Sequence, residues 1–217
     1  MMAMTERFRN RQEAGKKLAR VLAVHKEKKG IILALPRGGV PVGFEIAMAL
    51  GWPLDLMLVR KLGVPDDEEL AMGAIAMNNI SLFNEDIIQH LGIHKDVVNR
   101  VIEREREELE RRNKLYRNNR PPPEVKDRIV ILVDDGMATG ADMRAAAMAV
   151  VHQEPAELIV AVPVAPQSAC DLLRYQADKV VCLQSPPFFY GVGSFYDDFR
   201  QTDDEEVVRL LEQAPKP

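Results

Sequence analysis

Cysteine is scarce in this 217-residue chain. Cys170 and Cys182 are the only two, too few and too far apart for a zinc knuckle or a redox CxxC motif, and a disulfide scaffold is excluded. Long apolar runs are missing as well. The longest, Ala145–Val151 and Leu158–Pro166, fall far short of a bilayer span, so no transmembrane helix and no membrane partner are expected. The opening stretch, MMAMTERFRNRQ, lacks the apolar core of a secretory signal, which predicts a cytoplasmic protein. An excess of positive charge is absent: 29 Lys and Arg against 33 Asp and Glu leave a net charge of −4, which argues against a nucleic-acid partner. No internal repeat is visible. What remains, 47% hydrophobic and 29% charged residues, is the profile of a globular chain long enough to bury a core without staples. We expect a single domain over 1–217.

Punctuated apolar runs set out the elements. Asn10 and Glu13 form a capping box, followed by Ala14, Leu18, Val21 and Leu22 at helical spacing, so a first helix is predicted to end near Gly30. Ile31–Leu35 reads as a buried strand stopped by PRGG, then a helix over about Val40–Leu50 and a second strand over Leu54–Val59. Arg60–Gly73, with Gly, Pro and the acidic run Asp66–Glu69, reads as a loop. A hairpin is predicted around Asn78–Asn79. His94–Arg120 is a charged helical insertion whose narrow stripe (Val98, Ile102, Leu109, Tyr116) places it on the surface, ended by Pro121–Pro123. Arg128–Asp135 is the clearest strand. A helix over about Gly140–Gln153, strand Leu158–Val162, helix Gln167–Tyr175 and strand Val180–Leu183 follow. A Gly- and Pro-marked aromatic loop then occupies 184–200, and Thr202 with Glu205 cap a last helix. Five apolar strands alternating with helices predict an α/β fold: an open, mainly parallel five-stranded sheet with helices on both faces. Ligands of such sheets sit beyond the carboxyl ends of the strands. PRGG, VRK and DDGMATG each follow a predicted strand, so all three should meet in one crevice.

The stretch ILVDDGMATGAD carries the sharpest chemistry. A buried strand delivers Asp134 and Asp135 to its carboxyl end, and a small-residue loop then enters a helix. Backbone N–H groups at a helix start suit phosphate. Thr139 adds a hydroxyl and Gly140 permits close backbone approach. Two acids beside a phosphate cradle suit a ligand with vicinal hydroxyls or a bound divalent cation, and a sugar phosphate meets both conditions.

VDDGMATG resembles the ribose-5-phosphate loop of the type I phosphoribosyltransferases, which use phosphoribosyl pyrophosphate (PRPP) with magnesium. PRGG (Pro36–Gly39) resembles their pyrophosphate loop, and VRKLG (Val59–Gly63) the Arg-Lys start of their mobile loop. The order and spacing of the three fit, over roughly Phe8 to the last helix. The whole chain is also similar to a group of bacterial phosphoribosyltransferases of undefined acceptor. The resemblance implies that the ribose 2′- and 3′-hydroxyls are held by Asp134 and Asp135. It places the 5′-phosphate in the loop Gly136, Met137, Ala138, Thr139, Gly140 and Ala141, and pyrophosphate on Arg37, Gly38, Gly39, Arg60 and Lys61. Magnesium (Mg2+) is expected to arrive on PRPP, near Asp134 and Asp135, with no direct protein ligand. Ala138 stands where hypoxanthine-guanine enzymes carry an acid, and Asp142 where a Ser or Thr often donates to the phosphate.

The expected activity is transfer of phosphoribose to a nitrogen acceptor, a nucleobase among the candidates, with pyrophosphate released. Glu69, in the loop that would close, is the candidate base for the acceptor's proton. Phe188, Phe189, Tyr190, Phe195 and Tyr196 lie in the 184–200 segment, where the family builds the hood over its base; they read as hood packing or as a stacking surface for the acceptor, with Phe188, Phe189 and Tyr190 the candidates for stacking. His90 and His94 lack a helical HExxH frame and read as surface residues rather than a zinc site. The competing reading is a non-catalytic module that binds PRPP or a nucleotide as a regulator. Oligomeric state is open; a homodimer, the commonest arrangement among soluble enzymes, would use the exposed helix.

Overall fold

Strands buried on both faces read as continuous apolar runs, because neither side needs polar residues. The computed structural model describes residues 6–65, 67–77 and 80–216, without the side chains of Glu68 and Glu69. The chain runs α1 (Arg11–Leu22), a 3-10 turn (Ala23–His25), β1 (Gly30–Ala34), α2 (Gly39–Leu50), β2 (Leu54–Leu56), β3 (Val59–Val64), β4 (Asp67–Ala76), β5 (Ile80–Phe83), α3 (Glu85–His90), α4 (Lys95–Arg117), β6 (Ile129–Val133), α5 (Ala141–Val151), β7 (Glu157–Val164), α6 (Gln167–Leu173), β8 (Lys179–Gln184) and α7 (Asp204–Gln213). Five strands form one parallel sheet in the order β2-β1-β6-β7-β8. This is the open parallel sheet that the apolar runs predict.

Side chains alternate across it and build two cores. Ile32, Ala34, Ile131, Val133, Ile159 and Ala161 face the layer containing α1, α2 and α7. Ile31, Leu33, Val130, Leu132, Leu158 and Val160 face α5 and α6. A third cluster joins Phe8 and Ala14 to Val164, Phe195 and Tyr196, tying the start of the chain to the 184–200 segment. Among the described residues no helix is long and apolar enough to cross a membrane.

Several expectations are corrected. The first helix stops at Leu22, well short of Gly30, because the Lys26–Lys29 run offers no apolar face to continue it. The second strand ends at Leu56. Val59 already belongs to a separate antiparallel sheet, β3-β4-β5, so Arg60–Gly73 is largely paired strand rather than loop. Pairing of Arg60 with Ile75 and Lys61 with Ala74 supplies the order that local composition hides. The hairpin between β4 and β5 is present, although Asn78 and Asn79 lie outside the described residues, as does Asp66 of the acidic run. The last helix is capped one residue later than expected: Asp203 accepts from the Glu206 amide at 2.7 Å, and Thr202 is buried. Finally, α4 is not merely a solvated helix. It packs on β3 and buries Glu105, Asn113 and Arg117 beside Val98, Leu109 and Tyr116.

Candidate active site

β6 ends at Val133 and hands Asp134 and Asp135 to the carboxyl edge of the sheet. The β1–α2 turn lies directly against them. A methyl group on Gly38 would stand 2.0 Å from Asp135 Oδ2, and one on Gly39 would stand 2.9 Å from the Asp134 Cα. Only glycine allows this approach. The peptide between Pro36 and Arg37 is cis. The Asp135 amide donates to Asp134 Oδ1 at 2.8 Å.

Asp135 is anchored by residues that no motif names. Arg11 Nε donates to its Oδ2 at 2.7 Å, and Arg11 Nη1 donates to the Arg200 carbonyl at 2.6 Å. The guanidinium also lies 4.0 Å over the Phe199 ring. The Tyr196 hydroxyl donates to the Asp135 carbonyl at 2.6 Å. Burial raises the Asp135 carboxyl above the usual carboxylate range against the opposing pull of Arg11. Asp134 is pushed well up, first by burial and then by the neighbouring charge of Asp135.

The loop after the two acids splits in role. Met137 donates its amide to the Val164 carbonyl at 3.1 Å and buries its side chain, so it fastens the loop to β7. Among the described residues the amides of Ala138, Thr139 and Gly140 have no hydrogen-bond partner, and the Ala141 amide meets Thr139 Oγ1 at 3.4 Å. Gly140 takes the left-handed conformation, φ 76°, that turns the chain into α5. The result is a small set of open amides at a helix N-terminus, a ready anion site.

A cavity of about 400 Å³ opens in front of Asp134. Arg60, Lys61, Arg104, Glu105, Arg112 and Asp142 also line it, so α4 forms one wall. Glu105 is buried between two arginines, 2.7 Å from Arg60 Nε and 3.0 Å from Arg104 Nε. Of the residues expected at the site, Asp134, Arg60 and Lys61 line this cavity; Asp135 and the Gly38–Gly39 turn adjoin Asp134 without lining it, and the 136–141 loop leads on to Asp142 at its edge. Arg37 points elsewhere: it does not line this cavity, and its Nη1 lies 3.4 Å from Asp204 Oδ1, an atom that also accepts from the Tyr116 hydroxyl at 2.5 Å. Phe188 and Tyr190 are 58% and 86% exposed, Phe189 stacks on Phe195, and none of the three lines the cavity. The Glu69 side chain lies outside the described residues.

Among the described residues no cluster of three or more His, Cys, Asp or Glu is arranged to hold a metal by itself. Two adjacent carboxylates beside open amides do fit magnesium, which is commonly bound through one or two carboxylates and the oxygens of a phosphate ligand. Sequence reasoning missed Arg11, Arg104, Glu105 and Arg112, and placed Tyr196 in the hood rather than against Asp135. Their contacts to the site span up to 124 positions, as for Arg11 and Asp135, and no local pattern encodes them.

The pattern of the phosphoribosyl transferase domain family matches residues 6–200. Two Mycobacterium tuberculosis proteins, provisionally named phosphoribosyl transferases, are 40% identical over 207 residues, covering 95% of this chain and 47% of theirs. The chain therefore spans about half the length of the curated relatives it matches. The crystal structure of TT1426 from Thermus thermophilus superposes with a TM-score of 0.88 at 41% identity, covering 96% of this chain and 99% of that one. The match reaches from the N-terminal helix through both aspartates to Arg200, and this chain belongs to the phosphoribosyl transferase domain family.

Proposed function

We propose that the protein transfers the phosphoribosyl group of PRPP to a nitrogen acceptor and releases pyrophosphate. The observation that carries this reading is the junction of two strand-end carboxylates with open amides at the start of α5, closed from the other side by Gly38 and Gly39. Asp134 and Asp135 hold the ribose diol. Ala138, Thr139, Gly140 and Ala141 receive the 5′-phosphate, while Met137 and Gly136 seat the loop. Pyrophosphate lies toward Arg60, Lys61 and the Gly38–Gly39 turn. As the bond from C1 to pyrophosphate breaks, positive charge grows on the sugar and negative charge on the leaving group. The carboxylates favour the first and the cationic wall the second. Magnesium would arrive on PRPP, near Asp134 and Asp135, and would supply further neutralisation of the leaving group. Glu69 is the proposed base for the acceptor proton, and Glu69→Gln with undiminished turnover removes it from that role.

Pyrophosphate release from PRPP and magnesium, screened over purines, pyrimidines and simple amines, tests the reading. Release with at least one acceptor, abolished in Asp134→Asn/Asp135→Asn, is expected; release that survives the double change defeats it. Asp142 favours a second reading. Its exposed carboxylate lines the cavity beside Asp134, where a phosphate ligand would meet it. A regulatory module would bind PRPP tightly and release no pyrophosphate with any acceptor.

A further inference from the structure

The two cysteines, distant from each other in any motif sense, meet in the fold. Cys170 sits on α6 and Cys182 on β8. Ser185 joins them: its Oγ lies 4.0 Å from Cys170 Sγ and donates to Cys182 Sγ at 3.6 Å. Both sulfurs thus contact one hydroxyl. They are not equivalent. Cys170 is 2% exposed, whereas Cys182 is partly open to solvent. The neighbouring Cys170 thiol, with Ser185, draws the Cys182 thiol down to about 6 against the effect of burial. The same contact pushes Cys170 above the usual thiol range. When protonated, Cys182 reaches the Gln184 carbonyl at 3.1 Å. A reachable, thiolate-prone sulfur with a second sulfur behind it is the arrangement of an oxidant-reactive cysteine and its resolving partner.

We infer that Cys182 and Cys170 form a peroxide-oxidisable pair that closes to an intramolecular disulfide. The Cys182 thiolate attacks one oxygen of hydrogen peroxide; the S–O bond forms, the O–O bond breaks, and hydroxide leaves and takes up a proton as water. Cys170 sulfur then attacks the sulfenic sulfur. The S–S bond forms, the S–O bond breaks, and the second oxygen leaves as water with the Cys170 proton. Two thiols and one peroxide become one disulfide and two waters, and the two electrons lost by sulfur are gained by the peroxide. The pair lies behind the phosphate loop: Ala169, the neighbour of Cys170, is 3.6 Å from where a methyl on Gly140 would stand. The inference does not depend on the phosphoribosyl reading.

The fully reduced whole chain, titrated with hydrogen peroxide, tests it. The expected product is a monomer lighter by two hydrogen atoms, with both thiols lost together and tryptic peptides 145–174 and 180–200 joined; a thiol reductant restores the starting mass. Cys170→Ser should stop at the sulfenic acid, captured by dimedone on peptide 180–200. Cys182→Ser should lower thiol loss about tenfold or more, the reactive thiolate having gone. Thermal melts check that both variants are folded, and the wild-type product needs no variant at all. The inference is overturned if the exposed Met48 oxidises while both thiols survive, or if the sulfurs link two chains rather than one.

Discussion

Asp135 takes its charged support from Arg11, whose side chain is threaded between Asp135, the Arg200 carbonyl and the Phe199 ring. At 9% exposure this is an ion pair in a low-dielectric setting, where removing one partner strands the other. Arg11→Ala should therefore cost about 3–5 kcal/mol of stability. Arg11→Lys keeps the charge but cannot donate to Asp135 and Arg200 through one planar fork, so it should fall between the two. Urea titrations with unchanged m-values check the order wild type, Lys, Ala; an Ala variant as stable as wild type removes the pair from the account. His25 makes a different kind of prediction. It is buried with neither ring nitrogen hydrogen-bonded among the described residues, and burial lowers its pKa. The unfolded chain then binds the proton more readily than the folded one. Stability should be unaffected by His25 above pH of about 6.5 and should fall as the pH drops below it. His25→Leu should flatten that fall when melting temperatures are compared at neutral and mildly acidic pH. Parallel curves for variant and wild type would show that other groups carry the acid sensitivity.

α4 is the element whose placement decides the cavity, and one residue latches it. Arg117 reaches across 62 positions to Asp55 on β2, with Nε–Oδ1 at 2.7 Å and Nη2–Oδ2 at 2.9 Å, and also donates to Asn113 Oδ1 and the Pro121 carbonyl. Arg117→Ala should cost about 3–5 kcal/mol by leaving the Asp55 charge buried without its ion partner, the Leu56 amide its one remaining donor among the described residues. Asp55→Leu/Arg117→Leu should recover part of that loss, because no charge is stranded; a double-mutant cycle measures the coupling. The same latch explains what the sequence hides. Strands β1, β6, β7 and β8 announce themselves as apolar runs, and DDGMATG announces the acids and the loop. Nothing local announces that Arg117 has a buried partner, so the Glu- and Arg-rich segment looks like a solvated helix rather than a cavity wall. β3 and β4 hide for a related reason. Glycine, proline and acids argue for a loop, and only pairing with the neighbouring antiparallel strands overrides them.

Taken as a whole molecule, the crevice draws on α1, the β1–α2 turn, β3, α4, the β6–α5 loop and the C-terminal segment at once. A ligand seated there bridges elements that unfolding separates, so it should stabilise the entire native state by linkage. At a concentration one hundred times its dissociation constant, PRPP with magnesium should add about 2.7 kcal/mol, read as a rise in melting temperature. Gly38→Ala isolates the site's contribution. Gly38 has φ −61°, a conformation alanine adopts freely, so the backbone raises no objection. Only space does: the new methyl would stand 2.0 Å from Asp135 Oδ2 and must displace the carboxylate proposed to hold the ribose. The variant should stay folded without ligand yet lose most of the PRPP-induced rise. If Gly38→Ala and wild type gain equally, PRPP is bound somewhere other than between the β1–α2 turn and the paired aspartates. If neither gains at saturating PRPP and magnesium, the crevice does not take a phosphoribosyl donor.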